Sequence, residues 1–495
     1  MARVRKYTIV FIIFIVSGII YFKGLNPLLP LNEDSSIYIN MAQSLSQGRG
    51  GICTTGPVAT PLNYYPSFYP RLLSFFIYLF PGNYLVLKLF SICLTLALLL
   101  SLAYFYPKLF YEKSEVLLLA MFSFNTLICM YSRAILTEIP YTLFSITSIY
   151  FLTRYQQAKG VFNRYFFISA VVLAFVCYIR LIGMGLILSV FIFFLLKKDF
   201  KKSSASLLFF LILAPWAGAN VIFGTSAYTK EFVSRTSGLL GFVHRWAYNL
   251  LATIGKELPD LFFYPWVNSI DPHDLIFVFK FAFGCILAAL LVWGFILKLR
   301  KEGLQLWDTY VVVYFFLFYL SWTHHGARYL VPILVFLMYY LVLAIRSVAP
   351  KRILFYSLAG LFIISGIMGD IWLNRQDKYH PYSPVEESFV RSGDWLKDHV
   401  SKNSIIVSRR PSWMYVYTSG LKGLKFLRTL DTAAQYEYIM ANKADYLVID
   451  QNKIYRDDAR QYLNPLVRAY PDMFELAYVT DITPQTFVYR VKRAR

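Results

Sequence analysis

About eleven apolar runs, separated by short connections of which every second one is basic, restrict this chain more than any other feature. The runs lie near Tyr7–Phe22, Tyr84–Phe105, Val116–Met130, Pro140–Leu152, Tyr165–Tyr178, Leu181–Leu196, Leu207–Phe223, Leu275–Leu297, Tyr310–Trp322, Leu330–Ile345 and Ile353–Trp372. Several are shorter than the roughly 20 residues an untilted membrane helix needs, so their ends extend into flanking polar residues. The basic connections carry Arg3, Arg5 and Lys6; Lys108 and Lys113; Arg154, Lys159 and Arg164; Lys197, Lys198, Lys201 and Lys202; Lys298, Arg300 and Lys301; and Arg346, Lys351 and Arg352. The positive-inside rule puts all of them in the cytoplasm. One missed or invented helix would break that parity.

A chain of 495 residues with 57% hydrophobic and only 16% charged side chains, at a mean hydropathy of +0.50, is too apolar for a soluble globule. The net charge of +21 is spread over the connections and not along one face, which excludes nucleic acid as a partner. The expected fold is an α-helical polytopic protein of the plasma (inner) membrane, with about 11 transmembrane helices and a cytoplasmic N-terminus. The first run has the basic start and apolar middle of a signal peptide, but no small-residue cleavage pattern follows, so it is expected to stay as a helix.

Past Trp372 the pattern changes. Phe389, Trp395, Leu396 and Val400 recur at helical spacing, and Ser404–Ser408, Tyr446–Ile449 and Thr486–Val491 read as short strands. The expected division is a membrane domain over residues 1–373, with outer loops 23–83 and 224–274, and a small extracytoplasmic α/β domain over 374–495. Cys93, Cys129, Cys177 and Cys285 fall within apolar runs and leave Cys53 without a partner, so no disulfide framework is expected.

Chemistry is expected on the outer side. Glu33 and Asp34 open a segment whose Tyr38, Met41, Ala42 and Leu45 share one face of a short amphipathic helix, suited to lie on the membrane surface. Carboxylates beside a bilayer cost free energy unless they react, bind a cation or cap a helix, and Asp34 alone would suit an N-cap through the amide of Ser36 or Ile37. Glu138 adds a second acid on the same face; its simpler roles are a pair with Arg133 or a place in the first turn of a helix begun by Pro140. Arg180 and Arg328 end and begin apolar runs on that side, where a guanidinium fork suits a phosphate and simple snorkelling is the alternative. Beside Arg328 stand Tyr329 and the tandem His324 and His325, which serve as a polar turn unless further ligands join them. The outer stretch containing Tyr65, Tyr69 and Arg71 is rich in rings that suit either an interfacial belt or a sugar face.

In order along the chain, Asp34 with Tyr38, Ala42, Leu45 and Gly48, a Tyr-Pro outer segment, Thr137-Glu138-Ile139-Pro140, Tyr178-Ile179-Arg180-Leu181-Ile182-Gly183 and Arg328-Tyr329-Leu330-Val331-Pro332 resemble polyprenyl-phosphate-dependent glycosyltransferases of the C superfamily. Within it the chain looks like the protein O-mannosyltransferases and the lipid A aminoarabinose transferases of the cell envelope. The resemblance covers residues 1 to about 372. It implies Asp34 as catalytic acid-base residue, Glu138 as the second acidic position, and Arg180 and Arg328 as ligands of the carrier phosphate. The usual Asp-Glu order is replaced by Glu33-Asp34, which leaves the role of Glu33 open.

The implied activity is transfer of a hexose or pentose from a polyprenyl-phosphate donor to an extracytoplasmic lipid, glycan or protein, with inversion expected from a single displacement. No cofactor is fixed by the resemblance, although the carboxylates leave room for a divalent metal ion. The competing class is a transporter or flippase for a lipid-linked or small polar solute. Transporters place charges and helix breaks at the bilayer midplane, whereas here the charges gather at outer helix ends.

Overall fold

The computed structural model describes residues 2–50, 52–57, 60–61, 66–110, 114–223, 238–264, 275–322, 326–349, 351–451 and 458–492. The chain forms two compact units. One comprises Met1–Leu25, Asn63–Tyr69 and Lys88–Arg375; the other comprises Asn26–Leu62, Pro70–Leu87 and Gln376–Arg495.

The first unit is helical. Among the described residues, five helical stretches are long and apolar enough to cross a membrane: Lys6–Lys23, Tyr84–Leu109, Phe277–Glu302, Ala327–Val348 and Arg352–His399. Helices that face lipid show apolar side chains outward, as Phe11, Ile12, Ile15 and Ile19 do on Ala2–Lys23. The other expected spans fall on shorter or segmented helices. The run expected over Val116–Met130 is broken into Glu115–Ser123 and Thr126–Ser132, bent by 59°. Asn125 is the cause, because its side chain caps the amides of Leu127 and Ile128 and gives its own amide to the carbonyl of Leu261. Leu306–Val313 continues as a π-turn over Tyr314–Tyr319, and a 3₁₀ stretch, Ala327–Ile333, precedes the helix Leu334–Val348. Within the regions read as outer loops the sequence analysis missed the helices Phe68–Leu79, Gly238–Ala252 and Leu258–Phe263.

The second unit is an α/β arrangement joined by the chain's first polar loop. Its sheet contains β3 (Ile405–Val407), β4 (Lys422–Leu424), β5 (Tyr446–Ile449), β6 (Phe474–Val479) and β7 (Phe487–Val491) in the order β4-β3-β5-β7-β6. The first three strands run parallel, and β7 and β6 are antiparallel. β4 and β6, too short or irregular in sequence to stand out, were not expected. Val407, Leu424, Leu447, Ile449, Leu463 and Phe474 form the core. The helix Pro384–His399 starts in a capping box, with Ser383 and Glu386 bonding each other's ends. A two-stranded ribbon, β1 (Ile52–Cys53) against β2 (Thr60–Pro61), follows the helix Glu33–Ser46. No disulfide joins any of the five cysteines, all of which are among the described residues.

Candidate functional site

Within the helical unit, three helix ends bring together the charges singled out in the sequence. Glu138 is the first residue of the helix Glu138–Gln157, where the positive end of the backbone dipole favours a carboxylate. Arg180 is the C-cap of Arg164–Ile179, where the same effect favours a cation. The chain then reverses through one tight turn, Leu181–Gly183, into Met184–Leu196. Gly183 permits this approach, since a Cβ there would sit 2.9 Å from Val176 Cγ1 and 3.0 Å from the Cys177 backbone. Arg328 lies in the 3₁₀ stretch after Gly326.

Arg180 Nη1 lies 3.0 Å from Glu138 Oε1, and Arg328 Nε lies 3.8 Å from the same oxygen. Glu138 Oε2 is buried and has no hydrogen-bond partner among the described residues. Both guanidiniums lie over the Tyr329 ring, 5.3 Å from its centroid for Arg180 and 4.6 Å for Arg328. Arg328 also donates to the Tyr329 hydroxyl at 2.6 Å, and Tyr314 donates to the Tyr329 carbonyl at 2.6 Å. Two guanidiniums thus face one carboxylate oxygen. The arginines keep 16% and 26% side-chain exposure, while Glu138 has 2%. The expected pair between Glu138 and Arg133 does not form: Arg133 donates to Asn374 Oδ1 at 2.7 Å and to Cys129 Sγ. The alternative place in a first helical turn is the one Glu138 occupies, although the helix starts at Glu138 and not at Pro140.

Sequence reasoning missed Tyr314 and Glu257 here. Glu257, at the end of the π-turn Thr253–Glu257, accepts a bond from the Ala327 amide, next to Arg328, and so braces that turn. Burial pushes its carboxyl up to about 7, with Asp260 adding to the rise and Lys256 and Lys280 opposing it. Only the folded chain brings these groups together, so no local pattern marks them.

Within the second unit, Asp34 lies in the first turn of Glu33–Ser46 and is partly exposed. It is not the N-cap. Asn32 takes that role, accepting from the Asp34 amide at 2.9 Å, because the helix begins one residue before Asp34. The expected face of the helix is real: Tyr38, Met41 and Ala42 are buried. It does not serve as a bare interfacial surface, because Glu33 and the neighbouring loop bond to the C-terminal sheet region of the same unit. Glu33 Oε1 accepts from the Ser412 amide at 3.1 Å. Burial raises the Glu33 carboxyl above its usual value, and Ser412, Lys425 and Arg410 work against that rise.

Tyr69 is fully buried, contrary to an interfacial ring, while Arg71 is exposed. Tyr65, His324 and His325 lie outside the described residues. Among the described residues, no group of three or more His, Cys, Asp or Glu could hold a metal ion.

No family model and no curated protein matches the sequence. Solved structures share its fold. The archaeal oligosaccharyltransferase AglB from Archaeoglobus fulgidus, in complex with an inhibitory peptide and a dolichol-phosphate, aligns with a TM-score of 0.58 at 11% identity, over 98% of this chain and 74% of that one. ArnT from Cupriavidus metallidurans, bound to undecaprenyl phosphate, aligns with a TM-score of 0.55 at 10% identity over 97% of each chain. The chain shares the fold of these two proteins. Identity at this level speaks to fold and not to substrate.

Proposed function

We propose that this protein is a membrane glycosyltransferase that moves one sugar from a polyprenyl-phosphate carrier to an acceptor outside the cytoplasm. The observation that carries the reading is the Glu138–Arg180–Arg328 cluster at helix ends, with both guanidiniums partly exposed, in a chain with this fold. Guanidinium forks suit phosphate oxygens, and a phosphate leaving group needs its developing charge neutralised. Dolichol-phosphate and undecaprenyl phosphate, bound by the structural neighbours, are of that chemistry.

In this reading Arg180 and Arg328 hold the carrier phosphate, with Tyr329 setting the planes of both guanidiniums. Asp34 takes the proton of an acceptor hydroxyl as its oxygen bonds to the anomeric carbon and the carbon–phosphate-oxygen bond breaks. A single displacement inverts the anomeric centre. An acceptor that is itself a phosphate is already anionic, and Asp34 then orients it. Eleven membrane spans, a cytoplasmic N-terminus and an outer C-terminal domain belong to the same proposal, motivated by the basic connections. No observation favours a transporter or flippase.

The test is Asp34→Asn, which keeps size and leaves the Asn32 cap in place. Lipids and glycans from a deletion strain carrying the wild-type or variant chain are compared by mass spectrometry, beside thermal unfolding of the purified proteins. The expected result is a normally folded variant that fails to restore a single-sugar mass increment. Full restoration by Asp34→Asn would remove Asp34 from the mechanism.

A further inference from the structure

The helix that presents Asp34 is fastened at several polar points to one short segment, residues 411–423. Buried Asn40 donates to Thr54 Oγ1 at 2.9 Å and accepts from the Thr54 amide at 3.1 Å, and Thr54 Oγ1 donates to the Tyr415 hydroxyl at 2.9 Å. The Thr55 carbonyl accepts from the Gly423 amide at 2.6 Å, and the Pro57 carbonyl accepts from Lys422 Nζ at 2.9 Å. Gly423 also packs closely on the start of the helix Pro411–Tyr417, since a Cβ there would meet the Pro411 carbonyl oxygen at 2.4 Å. These bonds hold the middle of the helix and the strand after it. At its first turn, beside Asp34, the fastening runs through Glu33 and the Ser412 amide.

Successive residues of a helix project about 100° apart. With the Glu33 carboxylate turned in to Ser412, between Arg410 and Lys425, the side chain of Asp34 is held a quarter-turn away on the partly exposed side. Asn32 fixes the same turn through the Asp34 amide. Rotation of the helix about its axis would have to break the bond between Glu33 and Ser412.

We propose that Glu33 is the positioning residue for Asp34: its carboxylate, bound to the start of the helix Pro411–Tyr417, sets the rotation of the first helical turn and so the direction in which Asp34 points. This rests on the reading of Asp34 as the acid-base residue. It gives the C-terminal α/β region a part in the reaction, as the frame on which the reacting helix is mounted, and it assigns the inverted Glu-Asp order a purpose.

A near-isosteric pair of variants tests this without risking the fold. Glu33→Gln keeps an oxygen at the distance needed to accept from Ser412 and drops the charge; Glu33→Asp keeps the charge but falls one methylene short. Each full-length chain is expressed in the deletion strain and scored by the rate at which the single-sugar mass increment returns. Hydrogen–deuterium exchange is then measured on the purified proteins over residues 33–38. Glu33→Gln should stay within about threefold of wild type, while Glu33→Asp should fall about tenfold or more and exchange faster in that first turn with an unchanged unfolding temperature, as the loss of one such bond would produce. Equal restoration by Glu33→Asp and wild type, while Asp34→Asn is inactive, overturns the positioning role and leaves the reading of Asp34 standing. Loss of activity in Glu33→Gln to the level of Glu33→Asp overturns it too, because charge and not the bond would then be what matters. Full activity of Asp34→Asn removes the function on which the proposal rests.

Discussion

Two buried acids in the helical unit solve the same electrostatic problem in opposite ways. Asp308 accepts from the Gln305 amide at 2.7 Å, from the Tyr340 hydroxyl at 2.9 Å and from Lys298, whose ammonium also donates to the Gly303 carbonyl at 2.8 Å. Both side chains of that pair are fully buried, one acid meets one cation, and the acid closes a capping box at the start of Leu306–Val313. Glu138 is as deeply buried, yet it faces two guanidiniums through one oxygen and leaves the other without a partner among the described residues. The first cluster is neutral and closed. The second sets two partly exposed guanidiniums on one carboxylate oxygen. The difference teaches that burial of charge alone marks no site; charged groups that keep some exposure are the ones a ligand can reach.

The comparison breaks first on stability. Lys298→Ala would strand a fully buried carboxylate, and the expected cost is about 3–5 kcal/mol. In detergent its unfolding temperature should drop steeply, while the protein that remains folded binds undecaprenyl phosphate as wild type does. A variant that folds normally but loses that binding would place the Lys298–Asp308 pair in the site.

A smaller effect sharpens the other half. Glu257, which braces the turn before Arg328, has its carboxyl pushed up to about 7. Between the ordinary carboxylate range and about pH 7 the folded chain therefore keeps a proton that the unfolded chain has released. The stability this gives is present at low pH and lost as pH rises through that window, on the order of 2 kcal/mol. The groups facing it, Lys256, Asp260 and Lys280, are part of that balance. Thermal unfolding measured between about pH 5 and 8 should show the decline in wild type and a flatter profile in Glu257→Gln. Parallel profiles would assign the pH dependence elsewhere.

The helical, apolar character of the chain and its general fold were legible in the sequence because hydropathy and ordered motifs are local or one-dimensional signals. Strands β3, β5 and β7 were legible for the same reason, as β-branched runs. The break at Asn125 was not, since a polar residue in an apolar run reveals its capping role only when the chain bends. Arg180, Arg328 and Tyr329 were singled out from the sequence, and the structure places both guanidiniums at one Glu138 oxygen and over the Tyr329 ring. Glu33 shows the opposite case: its neighbour in sequence drew the attention, while its partner, Ser412, lies 379 residues away. The roles of Tyr314 and Glu257 arise from contacts that no sequence pattern marks.

The central claim is that Arg180 and Arg328, gathered at Glu138, take a lipid phosphate. Titration of the purified full-length protein with undecaprenyl phosphate tests it most directly, with Arg180→Ala, Arg328→Ala and the double variant alongside and an unfolding control for each. Each charge-assisted hydrogen bond lost should weaken binding by about 1.5 to 3 kcal/mol, roughly 10- to 150-fold, with more lost in the double variant and little change in unfolding temperature. Equal affinity across folded wild type and both single variants would show that these arginines only anchor helix ends, and the account of the site would be wrong.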